Sequence, residues 1–198
     1  MARKNVSLSG FDRDYRYRWD IRRLAGVDEA GRGCLAGPVV AAAVILEPGR
    51  IIRGLNDSKQ LAVEKRQYLF HKICEHALGV AIGWASAEEI DRVNILRATH
   101  LAARRALEIL RPVPQGILTD YLKLELAENL PLDAIVKGDG RSQSIAAASV
   151  IAKVSRDRWM KGLDGEFPGY GMARHKGYGT PQHVGAIQRL GSSTLHRQ

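Results

Sequence analysis

Acidic side chains follow several apolar segments of this 198-residue chain, and they are the residues best suited to chemistry. Asp28 and Glu29 come at the end of one apolar segment, Asp120 ends a second, and Asp139 lies just beyond a third. If these segments are strands of an α/β sheet, their ends form the crevice in which ligand sites collect. Carboxylates brought together there repel one another unless a cation intervenes, and oxygen ligands favour Mg²⁺ or Mn²⁺ over zinc.

The same acids also have a purely structural interpretation. An Asp at a strand end is commonly a turn former or the N-cap of the next helix. The residue types alone leave both interpretations open. The turn at 31–33, directly after Asp28 and Glu29, favours a ligand site, because its glycines let backbone N–H groups approach a ligand and Arg32 offers a bidentate fork for phosphate.

The elements that must position these acids alternate along the chain. Apolar segments are predicted as strands over 24–28, 39–46, 78–85, 116–120 and 133–137. Helices are predicted after the capping candidates at 56–58, from a capping box at 86–89 to Arg111, and over 144–161. Segment 39–46 is a near-continuous apolar run, which is typical of a strand buried on both faces. This order predicts an α/β fold, with a mixed central sheet flanked by helices in a single domain.

The first 23 residues are predicted to form a basic and aromatic appendage to a domain that comprises residues 24–198. They contain seven Lys or Arg and three Asp, and Phe11, Tyr15 and Trp19 follow one another at a spacing of four. That spacing places the three rings on one face of a helix. We expect this face either to pack on the body of the protein or to contact nucleic acid.

The formal net charge is +9, from 30 Lys and Arg against 21 Asp and Glu. Segments 1–23, 137–162 and 174–198 each carry +4, and the remainder, which contains three of the four acids, carries −3. Concentrated positive charge around an acidic centre predicts a polyanionic partner such as nucleic acid.

Membrane and secreted proteins are the classes that the composition excludes. The longest uncharged stretch, 33–46, has 14 residues, which is too few to span a bilayer. The N-terminus has no apolar run, so it does not predict a secretory signal. Cys34 and Cys74 show no metal-binding spacing, and we expect them to be small buried residues of a protein in the reducing cytoplasm, a single disulfide being the alternative.

Several longer motifs follow one another in a characteristic order. They are GVDEAGRG at 26–33, LAGPVVAAAV at 35–44, LNDSK at 55–59, VKGD at 136–139, SIAAASVIAKVSRDR at 144–158 and HKGY at 175–178. Together they closely resemble bacterial type 2 ribonuclease H, the ribonuclease HII family, over about residues 10–197. The related ribonuclease HIII family is a poorer match, because it lacks the Gly-Arg-Gly turn and has a large extra N-terminal domain.

The resemblance implies an RNase H-like fold and a two-metal-ion nuclease. The residues that it implies as both catalytic groups and ligands of Mg²⁺ or Mn²⁺ are Asp28, Glu29, Asp120 and Asp139. The implied activity is hydrolysis of the phosphodiester on the 5′ side of a ribonucleotide, in RNA–DNA hybrids and at single ribonucleotides in duplex DNA. The products would carry 3′-OH and 5′-phosphate ends, as ribonucleotide excision repair requires.

Substrate recognition is also implied by the resemblance. Gly31, Arg32 and Gly33 would sense the 2′-OH at an RNA–DNA junction, the one group that distinguishes RNA from DNA at a given sugar. Tyr178 would pack on the deoxyribose that follows. Lys153 and Arg156, on the helix predicted over 144–161, are expected to contact phosphates, and a solvated basic face is the alternative. The implied protein is a monomer without membrane contact.

The sequence departs from the family pattern at two places. Tyr121 follows Asp120 where the family usually has Gly, so we expect its side chain to crowd the metal site or to alter the turn. The sequence stops at Gln198, where family members usually continue with a basic and aromatic stretch, so we expect part of the duplex-binding surface to be absent. These departures leave a second hypothesis open, a catalytically impaired hybrid-binding module on the same fold.

Overall fold

A mixed sheet forms the centre of the computed structural model, which describes residues 7–125 and 130–198. Its strands are β1 (Leu24–Ala30), β2 (Val39–Leu46), β3 (Ala77–Ala85), β4 (Gly116–Asp120) and β5 (Leu132–Ile135). They lie in the order β3-β2-β1-β4-β5. β2 is antiparallel to both β1 and β3, whereas β4 is parallel to both β1 and β5. The predicted α/β fold with a mixed sheet is therefore confirmed.

The helices cover both faces of this sheet. They are α1 (Leu8–Trp19), α2 (Val63–His76), α3 (Ala87–Val93), α4 (Ile95–Ile109), α5 (Gln143–Gly162), α6 (Met172–His175) and α7 (Pro181–Leu190). α4 packs on one face through Ala98, Ala102 and Ala106, while α2 and α5 contribute to a second apolar cluster on the other face. No helix in the described part of the chain is long and apolar enough to cross a membrane.

The centre of the sheet is packed very closely against α5. All eight residues of β2 are buried, as the apolar run predicted. A Cβ added at Gly26 of β1 would lie 2.1 Å from the backbone carbon of Ser144, so only glycine permits this approach. The alanines at 146–148 at the start of α5 are fully buried. This contact sets the position of the segment that carries Asp139, since that segment leads directly into α5.

The helix predicted from the capping box to Arg111 is in fact two helices. The capping box itself is present, with reciprocal bonds between Ser86 and Glu89. Asn94 then interrupts the helix with φ of +71°, and its side chain accepts hydrogen bonds from the N–H groups of Leu96 and Arg97. A side chain that caps a new helix competes with continuation of the first one, which explains the break.

The aromatic face of α1 packs on the body. Phe11, Tyr15 and Trp19 belong to an apolar cluster with residues of β1, β4 and the start of α5. Of the two uses expected for this face, packing is therefore the one observed. Among the cysteines, both thiols are free, but Cys74 is exposed, so the expectation of two buried cysteines holds only for Cys34.

Candidate active site

Three of the four predicted acids lie where parallel strands end. β1, β4 and β5 run in the same direction, so their carboxyl ends share one edge of the sheet. Asp28 lies near the end of β1, Asp120 ends β4, and Asp139 lies in the 3₁₀ turn Gly138–Gly140 that follows β5. Strand pairing thus brings together side chains that are distant in the sequence.

These three aspartates form a compact cluster. One carboxylate oxygen from each of Asp28, Asp120 and Asp139 lies within 4.8 Å of the other two. Backbone N–H groups orient two of them: that of Glu29 donates to Asp28 Oδ1 at 2.7 Å, and that of Gly138 donates to Asp120 Oδ1 at 2.7 Å. The second bond also joins the end of β4 to the turn that carries Asp139.

Burial and mutual repulsion disfavour negative charge in the cluster. Burial, together with the charges of Glu29 and Asp120, raises the pKa of Asp28 well above its ordinary value. Burial, together with repulsion from Asp120 and Asp57, raises the pKa of Asp139 to about 6. A bound cation would favour the charged forms, because an opposite charge at close range lowers the pKa of a carboxyl.

Glu29 lies beside the cluster, and the two oxygens of its carboxylate differ in their hydrogen bonding. Its Oε1 accepts a hydrogen bond from Arg32 Nη1 at 3.1 Å. Its Oε2 is buried and has no hydrogen-bond partner among the residues that the structure describes. Burial raises the pKa of Glu29, although the Arg32 guanidinium opposes this effect. A buried carboxylate oxygen without a partner is costly, so this atom is one that a cation would satisfy.

The donor set fits a hard divalent cation. The aspartate cluster and Glu29 Oε2 present only carboxylate oxygens, which are the ligands that Mg²⁺ and Mn²⁺ prefer. Such an ion would relieve both the crowding of three carboxylates within 4.8 Å and the lack of a partner for Glu29 Oε2. The residues present are therefore compatible with the metal that the resemblance implies.

Lys59 is a candidate that the sequence analysis left unassigned. It lies in the 3₁₀ helix Ser58–Gln60. Burial lowers the pKa of its ammonium, but the nearby carboxylates, led by Asp28 and Asp57, outweigh burial and raise it. Lys59 is thus a cation beside the acidic cluster. The LNDSK motif contained it, but only the tertiary structure places it next to the strand ends.

The turn at 31–33 leaves β1 directly beside the acids. Gly31 has φ of +97°, a conformation that few residues other than glycine adopt. A Cβ added at Gly33 would meet no heavy atom within 4 Å, so the backbone there is open to an approaching molecule. The side chain of Arg32 is half-exposed and ion-paired with Glu29, which links the turn to the acids.

Tyr178 lies next to this turn. It forms an isolated antiparallel bridge with Cys34, and its side chain is partly exposed. Lys153 Nζ lies 5.0 Å from the centre of the Tyr178 ring and donates to Asp157 Oδ1 at 2.9 Å. Tyr178 and Lys153 are thus neighbours, and a contact between Lys153 and phosphate stays a prediction.

The expectation that Arg156 contacts phosphate is wrong in this structure. Arg156 is fully buried, and its guanidinium donates to the carbonyl oxygens of Pro38, Ala36 and Lys176. A side chain with no exposed surface cannot reach a substrate, and each nitrogen of this guanidinium already donates to a backbone carbonyl. The positive charges of this helix predicted an exposed basic face, but the sequence of a helix does not show which of its faces other segments cover.

Tyr121 does not disrupt the cluster of aspartates. It has φ of +57°, in the left-handed region that glycine favours, which explains why glycine is usual at this place. Its side chain is 67% exposed, and its N–H group donates to Thr119 O and Ile135 O. The expectation that this residue alters the turn or crowds the site is therefore not met, because the backbone adopts the conformation that a glycine would take.

Comparisons with known proteins agree with this geometry. The chain matches the family model for Ribonuclease HII over residues 25–198. Ribonuclease HII of Geobacillus kaustophilus is 53% identical over 182 residues, which cover 92% of this chain and 69% of that protein. Ribonuclease HII of Cupriavidus metallidurans is 50% identical over 182 residues, covering 90% of this chain and 80% of that protein.

A solved structure shares the fold. The crystal structure of ribonuclease H2 from Pyrococcus horikoshii has a TM-score of 0.75 and 28% identity, and the match covers 88% of this chain and 92% of that one. The five-stranded mixed sheet with flanking helices is therefore that of an RNase H-like fold. From the match over 25–198 and from these relatives, the chain belongs to the ribonuclease HII family, and its activity is that of a ribonuclease H.

Proposed function

We propose that this ribonuclease H hydrolyses the phosphodiester on the 5′ side of ribonucleotides, both in RNA–DNA hybrids and at single ribonucleotides in duplex DNA. The products carry 3′-OH and 5′-phosphate ends. The cluster of Asp28, Asp120 and Asp139 beside the buried, unpartnered Oε2 of Glu29 is the observation that carries the proposal. Residues 24–198 form the catalytic domain, which acts as a monomer in a reducing cytoplasm.

The four acids would bind the metal cofactor, and two basic residues would support them. Asp28, Asp120, Asp139 and Glu29 would bind two Mg²⁺ or Mn²⁺ ions. When bound, such ions supply an activated water and stabilise the leaving oxygen of an in-line phosphoryl displacement. Arg32 holds Glu29 Oε1 so that the other oxygen stays free for this purpose. Lys59 offsets part of the negative charge of the cluster and would attract a phosphate.

The turn and Tyr178 select the sugar. The open backbone at Gly33 and the half-exposed Arg32 would contact the ribose and its 2′-OH. The partly exposed Tyr178 ring, held next to the turn by its bridge to Cys34, would pack on the following deoxyribose and disfavour a second 2′-OH there, so that hybrids are cleaved less readily than junctions. A site built around one hydroxyl strongly rejects a substrate that lacks it. Lys153, next to Tyr178, would contact the phosphate backbone.

A cleavage assay tests this proposal. The substrate is duplex DNA with one embedded ribonucleotide, incubated with Mg²⁺ or Mn²⁺, and the product ends are mapped. We expect cleavage on the 5′ side of the ribonucleotide and none when a deoxyribonucleotide replaces it. Cleavage of the all-deoxy duplex would show that the 2′-OH is not recognised. Binding of the hybrid without cleavage would support the alternative of a catalytically impaired binding module.

A variant locates the chemistry. Asp139→Asn keeps the size of the side chain but removes a charged oxygen ligand, so we expect activity to fall by about a thousandfold or more while substrate binding persists. Asp20→Asn is the matched control, because Asp20 is exposed at the end of α1 with φ of +51°, a conformation that Asn tolerates. Full activity of Asp139→Asn would show that the Asp139 carboxylate is not required for catalysis.

A further inference from the structure

A buried guanidinium lies directly beneath the turn that follows β1. Arg156 is fully buried. Its Nε donates to Pro38 O at 2.9 Å and its Nη2 to Ala36 O at 3.1 Å, both in the segment that continues from the turn. Its Nη1 donates to Lys176 O at 2.8 Å, in the segment that carries Tyr178. One side chain therefore joins the two segments to which the proposed function assigns sugar recognition.

The turn itself rests on this side chain. A Cβ added at Gly31 would lie 2.0 Å from Arg156 Nε and 2.6 Å from its Cδ. The backbone of Gly31 is therefore in direct contact with the arginine, and no other residue type fits between them. A shift of the guanidinium would therefore disturb the backbone of this turn, to which the proposed function assigns contact with the ribose.

Arg156 has no carboxylate partner among the residues that the structure describes; backbone carbonyls accept from all three of its nitrogens. Burying a guanidinium without a counter-charge is unfavourable, and an apolar side chain would fill the same space at lower cost. What the guanidinium provides, and an apolar residue cannot, is a fixed fork of donors that holds several carbonyls at set distances.

A second arginine also binds carbonyls of this turn and of the segment that follows it. Arg197 Nη1 donates to Arg32 O at 3.0 Å, and its Nε and Nη2 donate to Gly37 O at 2.9 and 2.7 Å. Its backbone N–H donates to Leu35 O at 2.8 Å. Arg156 and Arg197 together bind five carbonyls of the segment 32–38.

We propose that Arg156 is a positioning residue for substrate selection, which fixes the spacing between the turn at 31–33 and Tyr178. Arg197 stabilises the turn through its bonds to Arg32 O and Gly37 O. The distance between the turn and Tyr178 sets how strongly the protein prefers a ribose at the turn followed by a deoxyribose at Tyr178. This inference rests on the proposed function, since it concerns the same two recognition elements.

The test is the pattern of cleavage within one substrate. A DNA strand with several consecutive ribonucleotides, paired with DNA, offers one position where deoxyribose follows the ribose and several where ribose follows. We expect the wild-type protein to cleave mainly before the last ribonucleotide. In Arg156→Met the ratio of junction to internal cleavage should fall by about tenfold, because a displacement of about 1 Å at a recognition element has large effects on rate. Arg156→Lys keeps the charge but not the fork, so it should restore little of the ratio.

The ratio separates positioning from a merely structural role, because a loss of folded protein lowers all products in the same proportion. Leu69→Ala is the matched control: Leu69 is fully buried in α2, so the variant loses stability but should keep the wild-type ratio. Should Arg156→Met fail to fold, Arg197→Met, which removes the bonds to Arg32 and Gly37, should lower the ratio in the same direction.

The outcomes distinguish the two levels of the proposal. A wild-type protein that cleaves without preference for the junction would overturn the sugar-recognition part of the proposed function. A wild-type preference that persists in folded Arg156→Met, Arg156→Lys or Arg197→Met would overturn the positioning role alone.

Discussion

Asp12 Oδ2 accepts two hydrogen bonds from Ser144, one from its N–H group at 2.8 Å and one from its hydroxyl at 2.6 Å. The other oxygen, Oδ1, accepts from the Ser142 hydroxyl at 2.5 Å. Ser142 is the N-cap of α5, and the turn that carries Asp139 precedes it. The first helix of the chain is therefore bonded to the segment that places an acid of the active site.

Removing the Asp12 carboxylate should destabilise the protein. Asp12→Ala leaves buried hydroxyl and N–H groups at the start of α5 without an acceptor, so we expect a loss of about 2–4 kcal/mol in the free energy of unfolding. Asp12→Asn should lose about 1 kcal/mol or less, because an amide oxygen can still accept from Ser144 and burial already raises the pKa of this carboxyl. Urea denaturation measures both variants. Equal losses would mean that the hydrogen bonds at this position are not what stabilises it.

Binding of nucleic acid should weaken steeply with salt. The three basic segments of the sequence predict many phosphate contacts, and each contact releases counterions, so affinity should fall by about a thousandfold between roughly 50 and 200 mM salt. Lys153→Met should reduce the slope of log affinity against log salt by about 0.9, the value for one phosphate contact. Titration of a labelled hybrid at several salt concentrations measures this slope. A slope that is unchanged in the variant would remove Lys153 from the interface.

Glu89 should contribute to stability at neutral pH and lose that contribution in acid. Its carboxylate accepts hydrogen bonds from Arg105 and from the Ser86 N–H group, which lower its pKa from 4.5 to about 2. Because the pKa of Glu89 is lower in the folded than in the unfolded protein, its carboxylate stabilises the folded state fully above about pH 4.5. This contribution is lost as the pH falls to about 2. Glu89→Gln keeps a side chain that can complete the capping box but removes the charge, so we expect a loss of about 1 kcal/mol at pH 7.

Denaturation of Glu89→Gln at a series of pH values measures this dependence, and the difference from wild type should shrink below pH 4.5. Glu88→Gln serves as the control, because Glu88 is 82% exposed and forms a surface ion pair with Arg92, so loss of its charge should have little effect. A pH-independent difference for Glu89→Gln would point to packing and not to charge.

Tyr121→Gly should stabilise the protein. The residue is held at φ of +57°, which is unfavourable for an aromatic side chain, and its exposed side chain contributes little packing. We expect a gain of about 0.5–1 kcal/mol in the free energy of unfolding, measured in urea. Tyr121→Ala keeps the unfavourable φ and should show no such gain. A similar gain in both variants would assign the effect to the lost aromatic ring.

Several strands and one helix start could be predicted because the sequence patterns that indicate them are local. The apolar run of β2 and the capping box at Ser86 depend on neighbouring residues, and both are present. The break at Asn94 could not be predicted from apolar spacing, because a single side chain that caps the second helix decides it. Helix α7 is not among the predicted helices, although Thr180 and Pro181 supply a capping residue and a favoured first position.

The sequence by itself determined the order of the elements, the acids at their ends and the family, because strand and turn propensities and long motifs are encoded by adjacent residues. Only the tertiary structure decided which side chains face one another. Lys153 and Arg156 lie three positions apart on α5, yet Lys153 is beside Tyr178 while Arg156 is enclosed by the segments around Pro38 and Lys176. Burial depends on what distant segments place over a helix face, and that information is absent from the helix's own sequence.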